Sequence, residues 1–151
     1  MDNVPIDMNE RARAILRAND RGGYTVPTAG LYPYQWNWDS AFASWGFSTF
    51  DVSRAWDELD TLFTGQWESG MVPHILFHKD DPGYFPGPDV WATGTTPPSS
   101  GITQPPVAAT MARLVLQADP SQTDRARALF PKLMAWHAWF MAHRVKDGMV
   151  C

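Results

Sequence analysis

The stretch Leu31-Tyr32-Pro33-Tyr34-Gln35-Trp36-Asn37-Trp38-Asp39-Ser40-Ala41-Phe42 holds two tryptophans, two tyrosines, a glutamine, an asparagine and an aspartate within eight consecutive residues. It lies where a polar and aromatic connection through Pro27, Gly30 and Pro33 enters a helical pattern running from Asp39 to Thr49. Apolar residues fall on most sides of that pattern (Ala41, Phe42, Ala43, Trp45 and Phe47), which predicts a buried helix. The mixture of side chains suits a sugar. Aromatic faces cover the apolar C–H side of a pyranose, while carboxylate and amide groups bond its hydroxyls. Asp39, at a helix start, is expected to be held ionised by the helix's N-terminal amides. Capping alone is the commoner role of such an aspartate, but burying Gln, Asn and Asp among aromatics is costly without partners.

The rest of the chain reads as helical hairpins. Before the aromatic stretch, residues 9–19 form a first helix with a stripe of Met8, Ala12, Ile15, Leu16 and Asn19, ended by Gly22-Gly23. After it, Asp51 caps a third helix whose periodic face is Val52, Ala55, Trp56, Leu59, Leu62 and Phe63. The short turn between the second and third helices makes them antiparallel. Asp57, Glu58 and Asp60 read as the solvated side of the third helix. Pro105-Pro106 fits the first turn of a fourth helix that continues through Val107, Met111, Leu114 and Val115 to about Ala118. Ser121 or Thr123 is expected to cap a fifth helix reaching about His143, after which Asp147-Gly148 turns the chain.

Between these helices, residues 65–103 are rich in proline and glycine and lack a sustained 3.6-residue period. A connection that long within one domain is functional or disordered. Trp67, Met71, Val72, Ile75, Leu76, Phe77, Tyr84, Phe85, Val90 and Trp91 are too many large apolar groups to leave in water, so it reads as an ordered loop packed over a site.

Composition narrows the function classes. The chain has 151 residues, 12 Lys+Arg against 16 Asp+Glu, and a formal net charge of −4. That balance argues against a nucleic-acid binder. The single cysteine, Cys151, excludes a disulfide framework and a thiolate metal cluster. No apolar run is long enough to span a bilayer and no signal peptide is visible, so a cytoplasmic location is expected. His74 and His78 are four apart, but Pro73 and the apolar residues between them favour an extended segment, and no metal site is expected. His137 and His143 read as structural or surface residues. Trp136, Trp139 and Phe140 read as a packing face.

Four ordered motifs resemble one family. Tyr32-Pro-Tyr-Gln-Trp-Asn-Trp-Asp-Ser-Ala-Phe42 is similar to the N-terminal signature of bacterial mannosylglycerate and glucosylglycerate hydrolases of glycoside hydrolase family 63, close to glycogen-debranching-like proteins. Gly70-Met-Val-Pro-His-Ile-Leu-Phe-His78, Tyr84-Phe-Pro-Gly-Pro-Asp-Val-Trp91 and Gly101-Ile-Thr-Gln-Pro-Pro-Val107 follow in the matching order. The resemblance implies an all-α fold, here a partial (α/α)6 barrel, with residues 1–151 as the N-terminal part of one hydrolase domain. Tyr32, Trp36, Asn37, Trp38 and Asp39 then resemble the wall and floor of a glycosyl site, Tyr84 and Gln104 resemble further substrate contacts, and residues 65–103 resemble a mobile substrate-covering loop.

The implied reaction is hydrolysis of an α-glycosidic bond with inversion, on a small glycoside and without metal or organic cofactor. The family's general acid lies in a Glu-Ser-Gly-x-Asp-Asn-Ser-Pro motif expected just beyond Cys151, so no catalytic residue is expected in this chain and the chain alone is expected to be inactive. Asp39 is thereby assigned to substrate hydroxyls, not to proton donation. The rival readings are a non-catalytic carbohydrate-binding helical module and a structural helical domain whose aromatics are only core.

Overall fold

The structure, a computed structural model, describes residues 7–150. Residues 1–6, on which the reading of the N-terminus rests, and Cys151 lie outside the described residues. Asp7 caps α1 (Met8–Asn19), its carboxylate accepting from the amides of Asn9 and Glu10. Of the expected stripe, Leu16 packs on the core, against the bare Cα of Gly46, but Met8 and Ile15 are exposed. The reason is that α1 packs mainly on the next helix, so only part of its apolar stripe is covered.

That helix, α2 (Asn37–Ser48), begins two residues before Asp39, so Asp39 lies in the first turn and does not cap. Its orientation overturns the expectation of a helix buried all round. Ser40, Ala41, Ser44, Phe47 and Ser48 face inward, whereas Trp38, Phe42 and Trp45 stay about half exposed. Small side chains at intervals of four let α3 and α5 approach closely. Their hydroxyls are satisfied locally, Ser44 donating to the Ala41 carbonyl and Ser48 to that of Trp45 (both 2.7 Å).

Asp51 caps α3 (Val52–Leu62) by accepting from the Arg54 amide at 3.0 Å, and Ala55, Trp56, Leu59 and Leu62 are fully buried, as their spacing predicts. One 3₁₀ turn, Phe63–Gly65, follows.

The long connection divides into two parts. Met71, Val72 and Ile75–Phe77 enter the interior. There β2 (Ile75–Leu76) pairs antiparallel with β1 (Gln35–Trp36), in the register Gln35 to Leu76 and Trp36 to Ile75, and Leu76 also bridges Ser99. Gly70 permits this entry: its φ is +96°, and a Cβ there would lie 2.6 Å from the Ala135 carbonyl oxygen. Residues 79–98 run mostly over the surface and include the short α4 (Pro88–Trp91).

The helix α5 (Ala108–Ala118) starts after Pro105-Pro106 and not within them, with Val107 as its first flanking residue. Before α6 (Thr123–His143) comes a 3₁₀ turn, Pro120–Gln122, shaped by Asp119 accepting from the Ser121 amide at 3.0 Å. Neither Ser121 nor Thr123 caps α6; the Thr123 hydroxyl donates backward to the Pro120 carbonyl. Trp136 of α6 is fully buried against Phe63, with ring centroids 5.9 Å apart. Beyond α6, Asp147 and Gly148 both take positive φ (53° and 78°) and join β3 (Val145–Lys146) to β4 (Met149–Val150) as a two-residue hairpin. The architecture is an all-α partial barrel of helical hairpins in which α2 touches α1, α3 and α5.

Candidate functional site

Pairing of β1 with β2 places alternate residues of the aromatic stretch on a common platform. Tyr34 meets Phe77 and Tyr84 edge-on at 4.8 and 5.2 Å, Trp36 meets Tyr84 at 5.6 Å, and Tyr32 meets Trp36 at 5.2 Å. Edge-to-face contacts of this kind hold ring planes in fixed directions. Trp36 is consequently almost buried (7% exposed), with its remaining surface on a cleft, while Trp38, in the first turn of α2, is 43% exposed.

That cleft, of about 300 Å³, is lined by Pro27, Tyr32, Trp36, Trp38, Asp39 and Gln104. Five of the seven site residues expected from the sequence therefore meet at one place. Gln104 arrives from far along the chain: its Oε1 accepts from the Trp38 amide at 3.1 Å. With the carbonyl side so occupied, the Nε2 of Gln104 is left as a donor. Burial pushes the Asp39 carboxyl above the ordinary value of 3.8, against hydrogen bonds from its own backbone and from Trp38. Desolvation thus works against the stabilisation expected from the helix's N-terminal amides.

Two expected residues are placed differently. Asn37 is fully buried beneath the cleft, its Nδ2 donating to the carbonyls of Val72 (3.3 Å) and Pro73 (3.1 Å), and its Oδ1 has no partner among the described residues. It ties the start of α2 to the incoming strand. Tyr84 stands behind Trp36 and lines a neighbouring surface hollow with Asp80, Asp81 and Asp89.

The sequence reading missed Pro27 and misassigned Glu58. Glu58 is not solvated but fully buried. Its carboxylate accepts from the Thr25 amide (3.1 Å) and hydroxyl (2.7 Å), from Gln35 Nε2 (3.1 Å), from the Ser40 hydroxyl and from Arg54 Nη2 (2.8 Å). Arg54 also binds Asp20 through two hydrogen bonds of 2.9 Å. Burial pushes Asp20 up, yet the bonds and charge of Arg54 and the amide of Gly22 hold it below its usual range. The available signal was spacing: Arg54 and Glu58 are four apart, and both flank the buried positions Ala55 and Leu59.

The two histidines of the extended segment take separate partners. His74 Nδ1 lies 2.6 Å from the Ser100 hydroxyl, and His78 Nε2 lies 2.7 Å from Gln35 Oε1, with its ring stacked on Tyr24 at 4.1 Å. Burial depresses both pKa values below 6.5. Among the described residues, no group of three or more His, Cys, Asp or Glu is placed to hold a metal ion. His143 packs against Trp139, while His137 lies beside Trp136 with its Nε2 buried and without a partner among the described residues. Among the described residues, no helix is long and apolar enough to cross a membrane.

Comparison with known proteins gives a consistent result. The family model described as "Mannosylglycerate hydrolase MGH1-like glycoside hydrolase domain" matches residues 32–151. A relative named mannosylglycerate hydrolase MGH2, from Selaginella moellendorffii, is 54% identical over 143 residues, covering 92% of this chain and 29% of its own length. One named glucosylglycerate hydrolase, from Mycolicibacterium hassiacum, is 41% identical over 159 residues, covering 95% of this chain and 36% of its own. The crystal structure of a GH63 mannosylglycerate hydrolase from Thermus thermophilus, in complex with Tris and D-glycerate, superposes with a TM-score of 0.84 at 52% identity. That alignment covers 90% of this chain and 33% of the crystallised one. The chain thus spans about a third of the length of the curated relatives it matches.

Proposed function

The chain belongs to the MGH1-like glycoside hydrolase family, and we propose that it forms the glycosyl-binding part of an inverting α-glycosidase acting on a small glycoside such as mannosylglycerate or glucosylglycerate. The observation that carries this reading is the convergence of Tyr32, Trp36, Trp38, Asp39 and Gln104 on one cleft. Trp38 and Tyr32 offer ring faces to the C–H side of the sugar. Asp39 accepts from its hydroxyls, and Gln104 donates to them through Nε2. Asn37 and Tyr84 act from behind, the first anchoring α2 and the second supporting Trp36. Residues 65–103 contribute both the strand under the site and, through 79–98, the part that covers bound substrate.

Inverting hydrolysis needs a carboxylic acid to protonate the leaving oxygen and a carboxylate to activate water, about 6.5–9.5 Å apart. Among the described residues Asp39 is the only carboxyl lining the cleft. One carboxyl cannot supply both roles, and the family resemblance places the general acid in a later motif, so Asp39 is assigned to substrate binding and the catalytic pair to the remainder of a protein of the relatives' length. A cytoplasmic location goes with the same reading, supported by a sequence whose single cysteine can form no disulfide within the chain.

The test is to follow by NMR the sugar first released from each α-glycoside by the protein extended to its relatives' length. The β-anomer is expected. Release of the α-anomer would overturn inversion, and hydrolysis of neither glycerate glycoside by folded enzyme would overturn the substrate class.

A further inference from the structure

Glu58 does not line the cleft, yet three of its bonds end within two residues of the cleft wall. Thr25 leads to Pro27, Gln35 precedes Trp36, and Ser40 follows Asp39. Two arms come from the aromatic stretch and one from Thr25 before it, and all of them grip one carboxylate that α3 holds at zero exposure. A carboxylate so placed can accept but not donate, so it dictates the orientation of every group facing it. Gln35 shows the effect. Its Nε2 donates to Glu58 Oε1 (3.1 Å) and to the Glu58 main-chain carbonyl (3.3 Å), which turns its Oε1 toward His78 Nε2. An amide oxygen can only accept, so neutral His78 must carry its proton on Nε2.

We propose that Glu58 is the positioning residue of the cleft: from behind the wall it fixes Pro27, Trp36 and Asp39 relative to one another and sets the tautomer of His78. Its effect on ligand binding rests on the sugar-site reading above; its effect on geometry does not. Removing the acceptor-only character of Glu58 loosens the wall without touching any residue that lines it.

The experiment compares the parent chain with Glu58→Gln and Ser40→Ala. It reads the ¹⁵N signals of the His78 ring, the indole N–H signals of Trp36 and Trp38, and affinity for α-D-mannosylglycerate. The parent is expected to show a single Nε2–H tautomer and one set of indole signals. In folded Glu58→Gln, the Gln35 amide is free to turn, so a tautomer mixture, split indole signals and an affinity loss of about tenfold are expected. An unchanged tautomer with single indole signals in folded Glu58→Gln would overturn the proposal. Should that variant not fold, Ser40→Ala decides in its place: split Trp38 signals support the positioning role, and a single unbroadened set overturns it. If the parent binds no glycoside, the sugar-site reading fails, while the ring and indole signals still decide the role of Glu58.

Discussion

On the inner side of α3, Arg54 joins Asp20 and Glu58; on the outer side, Asp57 and Asp60 are joined by Arg125 from α6. Both sets put one arginine between two acids, and both tie α3 to a distant stretch of chain. The inner set is largely shut from water, with Arg54 and Glu58 side chains 10% and 0% exposed and only Asp20 partly open at 26%, and it carries further bonds to Thr25, Gln35 and Ser40. The outer set lies in solvent, with both aspartates 48% exposed. Ion pairs in water gain little, because screening and side-chain entropy offset the attraction. A buried pair gives little net stability over an apolar replacement, but breaking it leaves an unpaired charge and is strongly unfavourable. The inner set therefore specifies geometry, and the outer set fastens α6 weakly.

The largest effect expected is from Glu58→Ala, which takes one of its two acid partners from Arg54 and strands several buried donors at once. It should cost about 3–5 kcal/mol in urea unfolding, and a loss below about 1 kcal/mol would erase the contrast between the two clusters. Arg125→Ala should cost about 0.5–1 kcal/mol, and 1 M salt should shrink that difference while leaving the Glu58 effect in place. If salt weakened both alike, the inner set would have to be reached by solvent.

Asp39 sharpens the comparison from a third position, being half-buried with no arginine or lysine paired to it among the described residues. Because its pKa is raised in the fold, its ionised form opposes folding above that raised value, and the penalty vanishes below 3.8. Asp39→Asn should therefore raise the melting temperature at pH 7 by about 2 °C and lose the gain near pH 3.5, while weakening glycoside binding. The smallest effect concerns His74 and His78. Their depressed pKa values mean that the unfolded chain takes up protons first as pH falls below 6.5, so stability declines with acidity through that range. His78→Gln should flatten that decline in thermal melts between pH 7 and 5, and an unaltered slope would remove His78 from the acid response.

These contrasts also explain what could be read from the residue order. The stripe Ala55, Trp56, Leu59 and Leu62 is local, so a 3.6-residue period reveals it. Tyr32 to Asp39 were legible as a candidate site for the same reason: they are contiguous, and a polar and aromatic mixture that dense needs an explanation. Gln104 and Tyr84 came only through family motifs. Glu58 was read as solvated because its partners at positions 25, 35 and 40 lie far from it along the chain; only the i, i+4 relation to Arg54 is local. The facing of α2 was misread because hydrophobicity does not say which side meets a closely packed neighbour. Ser40, Ser44 and Ser48, at intervals of four, mark that side by their size.

The bond from the Trp38 amide to Gln104 joins positions 66 residues apart. Closing so wide a loop carries an entropy cost that nearby contacts repay only once the intervening strand and α3 are in place. A chain with its helices wound but Gln104 not yet seated against Trp38 therefore has no complete cleft wall. A bound glycoside would hold the finished state by mass action, slowing its unfolding while leaving the rate of folding unaltered. On the proposed reading, glycoside binding in this cleft would serve as a test of completed assembly, one that a far-ultraviolet spectrum of helices cannot supply.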